Sequence, residues 1–123
     1  MSERVAVGTT WLITVTKVSL SSGDNSYTPP EGKQLLVLSI SEQNRSGQEA
    51  GVNGAADWKL QDGAGTSFQV VNTAYGEMPV DRVEAGGTSS GELVYEVPTS
   101  THQFTLTFAP TAGDGQNVWD ISV

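Results

Sequence analysis

Residues 83–98 read VEAGGTSSGELVYEVP, and the alternation inside this stretch decides the fold. A Gly-Gly pair makes a turn, a small polar approach follows, and Leu93, Tyr95 and Val97 then alternate with Val94 and Glu96. A spacing of two is the period of a pleated strand, whose side chains point to opposite faces in turn. Pro98 ends the strand because proline has no N–H to give to a ladder. One such strand cannot bury its apolar face alone, so the rest of the chain must supply strands to pack on it.

Working outward, segment after segment has the same character. Residues 5–20 form a first β region with Trp11, Ile13 and Val15 on one face; the phase then slips so that Val18 and Leu20 continue the apolar pattern. A slip of one residue predicts a bulge or a switch between sheets near Thr16-Lys17. Residues 21–31, SSGDNSYTPPE, are turn formers. Residues 32–44, GKQLLVLSISEQN, hold the longest apolar run. Apolar side chains on both faces of this run predict a central strand, with Leu36, Leu38 and Ile40 inward until Glu42 interrupts the phase.

Residues 45–56, RSGQEAGVNGAA, read as a long connection between sheets, of the kind that is mobile or functional. Residues 57–71 read as a hairpin, with Trp58 and Leu60 on one arm, Phe68 and Val70 on the other, and QDGAG at 61–65 as its turn. Residues 72–82 place Tyr75, Met78 and Val80 among turn formers. Phe104, Leu106 and Phe108 then share one strand face, and Trp119, Ile121 and Val123 share that of a last strand. Nowhere do apolar residues recur at helical spacing for three turns, so no long helix is expected.

Short strands punctuated by glycine and proline point to an all-β protein. The expected solution is an immunoglobulin-like antiparallel β-sandwich of about seven strands, with residues 1–123 as a single domain. Its expected core is Trp11, Ile13, Leu36, Leu38, Ile40, Trp58, Leu60, Phe68, Leu93, Tyr95, Val97, Phe104, Leu106, Trp119 and Ile121. With no cysteine in the chain, this sandwich has no disulfide, no thiolate metal site and no cysteine nucleophile.

Composition narrows the function classes. Six Lys and Arg against 14 Asp and Glu give a net charge of -8, which repels phosphate backbones and anionic lipid surfaces. Nucleic acid is therefore not an expected partner. No run of about 18 apolar residues exists, so direct membrane insertion is not expected. The first ten residues lack a basic stretch followed by an apolar one; a secretory signal, where the natural protein has one, is not among these residues.

Three pieces in order, GKQLLVLSISEQN at 32–44, WKLQDG at 58–63 and AGGTSSGELVYEVP at 85–98, resemble a bacterial immunoglobulin-like family. Its domains occur in secreted proteins and lipoproteins and carry the label of a domain of unknown function or of a telomeric-repeat-binding-factor-like domain. They are similar in fold to a small secreted mycobacterial antigen. The resemblance runs from about Trp11 to the end of the chain, and its motifs are structural: turn glycines, an asparagine ending a central strand, a proline ending another. The family's pattern commonly has proline before the glycine where this chain has Ala85. The resemblance implies an extracytoplasmic setting and brings no catalytic constellation.

The residues agree that chemistry is not indicated. His102 is the only histidine, lies in a Ser/Thr-rich turn, and no G-x-S-x-G elbow accompanies it. Asp57, Asp62, Glu92, Glu96, Asp114 and Asp120 lie on separate strands and turns, so no carboxylate pair stands out. The loops at 23–25 and 113–117 are rich in Asp, Asn and Gly, but neither has the spacing of a calcium loop. Whether calcium binds them stays open; no cofactor or metal is expected. Trp11, Trp58 and Trp119 each share parity with aliphatic neighbours, which favours the core over a sugar-stacking platform.

The expected function is a non-enzymatic interaction or adhesion module of a secreted bacterial protein or lipoprotein. A carbohydrate-binding module is the alternative and a hydrolase the least supported reading. The expected contact residues for a protein partner are Tyr75, Glu77 and Met78, with Arg45 and Glu49 adding polar contacts if the fold brings the two loops together.

Overall fold

The computed structural model describes residues 4–23, 27–71, 80–110 and 115–123, with backbone alone at 53–55, 80 and 81. Nine strands follow in order: β1 Arg4–Val7, β2 Trp11–Ser21, β3 Lys33–Asn44, β4 Ala50–Asn53, β5 Trp58–Gln61, β6 Val80–Val83, β7 Thr88–Pro98, β8 Gln103–Phe108 and β9 Asn117–Ser122. One 3₁₀ turn, Gly54–Asp57, precedes β5, and there is no α-helix among the described residues.

All pairings are antiparallel. A four-stranded sheet has the order β1-β2-β3-β7, a three-stranded sheet the order β5-β8-β9, and β4 and β6 form a two-stranded ribbon. This is the expected antiparallel sandwich, with the strand of the stretch at 83–98 at one side of the larger sheet as β7, Thr88–Pro98. β3 is its centre, paired along its length to β2 on one side and β7 on the other.

The core follows the strand phases. The expected core residues are buried, with Phe68 and Trp119 half-buried and packed against the same cluster. Leu35, Val37 and Val94, which point to the opposite face of the larger sheet, form a second small cluster under Tyr27 and Val71. That second cover explains why β3 is apolar on both faces. The slip in β2 is a bulge: the register shifts between Val15 and Lys17. Leu20, expected to continue the inward set, is 44% exposed. β1 pairs only with Trp11–Thr14, which leaves the far half of β2 at the sheet's edge.

Four expectations need correction. Residues 5–20 are two strands, β1 and β2, because the chain turns at 8–10. The connection at 45–56 contains β4, whose Ala50 and Val52 are buried against β6 partners. The hairpin at 57–71 forms only next to its turn, where Gln61 bridges Ser67, and its second arm is not a strand. Phe68 N donates to Leu60 O (2.9 Å), but the chain then crosses to the other sheet, where Val71 N donates to Val94 O (2.9 Å) and Val70 bridges Tyr95. The partner β5 takes instead is β8, with Leu60 opposite Leu106. Val123, expected in phase with Trp119 and Ile121, is 37% exposed because it lies past the end of β9.

Candidate functional site

The inward face of β3 changes character along its length. Leu36, Leu38 and Ile40 are apolar; Glu42 and Asn44 continue the same parity and are just as buried. The sandwich therefore has an apolar body and one end whose interior is polar, where Thr10, Glu42, Asn44 and Asp57 are the buried polar side chains among the described residues.

Asn44 organises this end. Its Nδ2 donates to Gln48 O (2.7 Å) and Val83 O (2.9 Å), and its Oδ1 accepts from Ser46 N (2.9 Å) and Ser46 Oγ (2.7 Å). The carboxamide thus uses both donors and its acceptor oxygen twice, which makes burial of so polar a group tolerable. Its backbone is held as firmly: Asn44 N donates to Gly87 O and Gly86 N to Asn44 O, both at 2.9 Å. The turn at 84–87, closed by Gly87 N on Glu84 O, needs a positive φ at its third place, and Gly86 supplies it at 77°. Arg45 N donates to Thr10 O. The loop at 44–49, the turn at 84–87 and the β1–β2 turn are in this way tied at one end of the sandwich.

The expected contact residues divide. Arg45 and Glu49 are exposed on the clasped loop, and Glu49 Oε1 accepts from Arg82 Nη1 at 2.7 Å in a surface ion pair. Tyr75, Glu77 and Met78 lie outside the described residues. The backbone either side of them is placed: Val71 is bonded to β7, and Val80 stands opposite Asn53. Ala50, next to Glu49, stands opposite Val83 and Asn53 stands opposite Val80, so Glu49 lies about four rungs from Val80 along the ribbon, roughly 13 Å.

The remaining candidates are accounted for locally. His102 is exposed, and its carbonyl accepts from Val123 N. Asp62 caps its turn, accepting from Ala64 N and Thr66 N at 2.9 Å each. Glu92 accepts from Ser39 Oγ and Glu96 from the Tyr27 hydroxyl, a bond that holds the Tyr27 phenol above its ordinary range. Trp58 stacks on Trp119 with ring centres 5.7 Å apart, and Trp11 is buried, so these rings belong to the interior. No group of three or more metal-ligating side chains occurs among the described residues; Asp24, Asn25 and Asp114 lie outside them.

Glu42, expected to interrupt the inward phase of β3, is instead buried within it. Burial, and secondarily the negative charge of Asp57, push its carboxyl up to about 7. The available signal was parity: positions 36, 38, 40, 42 and 44 are one face whether apolar or not.

The same fold occurs in solved structures at low sequence identity. A Bacillus subtilis protein described as a lipoprotein, ycdA, superposes with a TM-score of 0.80 at 18% identity over 99% of this chain, which spans only 39% of that protein's chain. The yjhA protein of Bacillus subtilis superposes with a TM-score of 0.72 at 16% identity, covering 100% of this chain and 97% of its own. The secreted protein MPT63 of Mycobacterium tuberculosis superposes at 0.62 with 9% identity, over 96% of this chain and 92% of its own. Among curated proteins there is no match. The match that extends over nearly the whole sequence is to a family model, at residues 3–118, and by it the chain belongs to DUF4352, a domain family of unknown function.

Proposed function

We propose that residues 1–123 are one extracytoplasmic domain that works as a non-enzymatic interaction or adhesion module, and that its partner is a protein. The observation that carries this reading is the Asn44 clasp. It holds an exposed loop with Arg45 and Glu49 on a rigid sandwich end, and loops on rigid scaffolds are where binding residues concentrate. The extracytoplasmic setting is supported by the family resemblance and by the lipoprotein and secreted descriptions of the ycdA and MPT63 proteins.

Arg45 and Glu49 supply the polar contacts, with Tyr75, Glu77 and Met78 as the apolar and acidic contribution of the segment between Val71 and Val80. An aromatic anchor such as Tyr75 contributes 2 kcal/mol or more, roughly, when it fills a partner's pocket. The separation of Glu49 from Val80, about 13 Å along the ribbon, is within one standard interface.

The test is site-specific photo-cross-linking on the source bacterium, with the reactive group at Arg45, Glu49 or Tyr75, and at Lys59 on the other sheet as control. One shared protein adduct from the first three positions and none from Lys59 is the expected result. Equal labelling at Lys59, or no protein adduct at all, would sink the reading.

Carbohydrate binding is the second reading, and one observation favours it. The outer face of the larger sheet carries a shallow groove lined by Arg4, Thr14, Ser41, Gln43 and Thr88, groups that can bond sugar hydroxyls. The interior placement of the tryptophans leaves that groove without a stacking ring from them.

A further inference from the structure

Glu42 is 1% exposed, and its Oε2 has no hydrogen-bond partner. It sits two residues from Asn44 on the inward face of β3, in the layer that closes the polar end of the sandwich. Its ladder neighbours are Ile13 on β2 and Ser89 on β7, neither of which ionises. From the second layer the 3₁₀ turn brings Asp57, itself buried, and Trp58 follows it. The charged groups nearby on the β4–β6 ribbon and the adjoining turn, Glu49, Arg82 and Glu84, are exposed, and Glu49 and Arg82 are paired with each other.

A buried carboxylate with a free oxygen and a like charge as its neighbour is costly when ionised and acceptable when neutral. We propose that Glu42 makes the Asn44 end of the sandwich a proton-operated latch: protonated, it lets the two layers close over it; ionised against Asp57, it opens that end to water.

The direction in pH follows. The folded state raises this carboxyl from 4.5 to about 7, so it binds the proton more tightly than the unfolded chain does. The stabilisation is fully present below the unfolded value and is lost as pH rises through about 7. The latch is therefore closed in mildly acid surroundings and loosened in mildly alkaline ones. It acts on the end that carries Arg45 and Glu49, but it needs no partner in order to operate, so it stands or falls apart from the binding proposal.

The test is amide hydrogen exchange on the wild-type chain and on Glu42→Gln at pH 5 and pH 8, read as protection factors. In the wild type, the amides of Arg45, Gly86 and Ala109 at this end should lose protection by up to on the order of a hundredfold between the two pH values, while Lys33 and Thr99 at the other end change little. Glu42→Gln, which cannot ionise, should show no such pH dependence.

A carboxyl NMR titration of Glu42 in the wild type gives a readout that does not depend on the variant folding. Its midpoint should lie near neutrality and move down in Asp57→Asn. A midpoint near 4.5, an unchanged wild-type protection pattern, or the same pH dependence in Glu42→Gln would each overturn the latch. Equal loss at Lys33 and Thr99 would overturn its local character.

Discussion

At the scale of single residues, the most consequential side chain is Asn44, whose four hydrogen bonds are all internal. Replacing it with Ala takes a buried donor from the Val83 carbonyl and an acceptor from the Ser46 amide, each at a desolvation cost of ~1 kcal/mol or more, while Gln48 O keeps the Ser46 hydroxyl. Asn44→Ala should lower stability by about 2–4 kcal/mol in chemical denaturation. A loss under about 0.5 kcal/mol would mean that water replaces the clasp without penalty. Leu38 tests the apolar half of the same face. It is fully buried, and Leu38→Ala should cost about 2–5 kcal/mol in the same measurement. Gly115 is held by backbone rather than side chains: a Cβ there would stand 2.8 Å from Gly8 N, at a φ of 80°. Gly115→Ala should therefore destabilise by more than the ~1 kcal/mol of a left-handed residue alone.

At the scale of elements, the bulge in β2 joins two registers. Upstream of it Trp11, Ile13 and Val15 face the core, and downstream Val18 does. Thr16 stands opposite no residue of β3, so deleting it would leave a regular ladder in which Val15 and Val18 both keep the core face with Lys17 between them. The expected result is a folded protein with a modest change in melting temperature; failure to fold would show that the bulge itself, through the twist it adds or the Thr16 Oγ1 bond to Ser39 O, is required. The segment at 69–71 matters for a different reason. By pairing with Val94 and Glu96 it covers part of the open edge of β7, and exposed edges are templates for aggregation.

At the scale of the whole molecule, the net charge of -8 is spread over a small chain, so like charges repel across the surface. Added sodium chloride should raise the melting temperature modestly at neutral pH, as screening shortens that repulsion to about 8 Å at 0.15 M. A fall in melting temperature with salt would instead indicate that surface ion pairs such as Glu49–Arg82 outweigh the repulsion.

The sequence by itself determined the class of fold, the inward set of β3 and β7, the phase slip near Thr16 and the absence of disulfides. These are local properties: a period of two, a phase slip and a missing residue type can each be read within a few positions. Tertiary structure alone decided what lies far apart in sequence. It paired β5 along its length with β8 and sent residues 69–71 across to β7, since the choice of partner depends on which distant strand closes the sheet. It made a strand of residues 50–53, because the hydrogen bonds to β6 come from 30 positions away. It also gave Glu42 its burial, its unpaired oxygen and its proximity to Asp57. Along the chain a glutamate after an apolar run marks the end of a buried phase; only the second layer, folded over it, reveals that the phase continues.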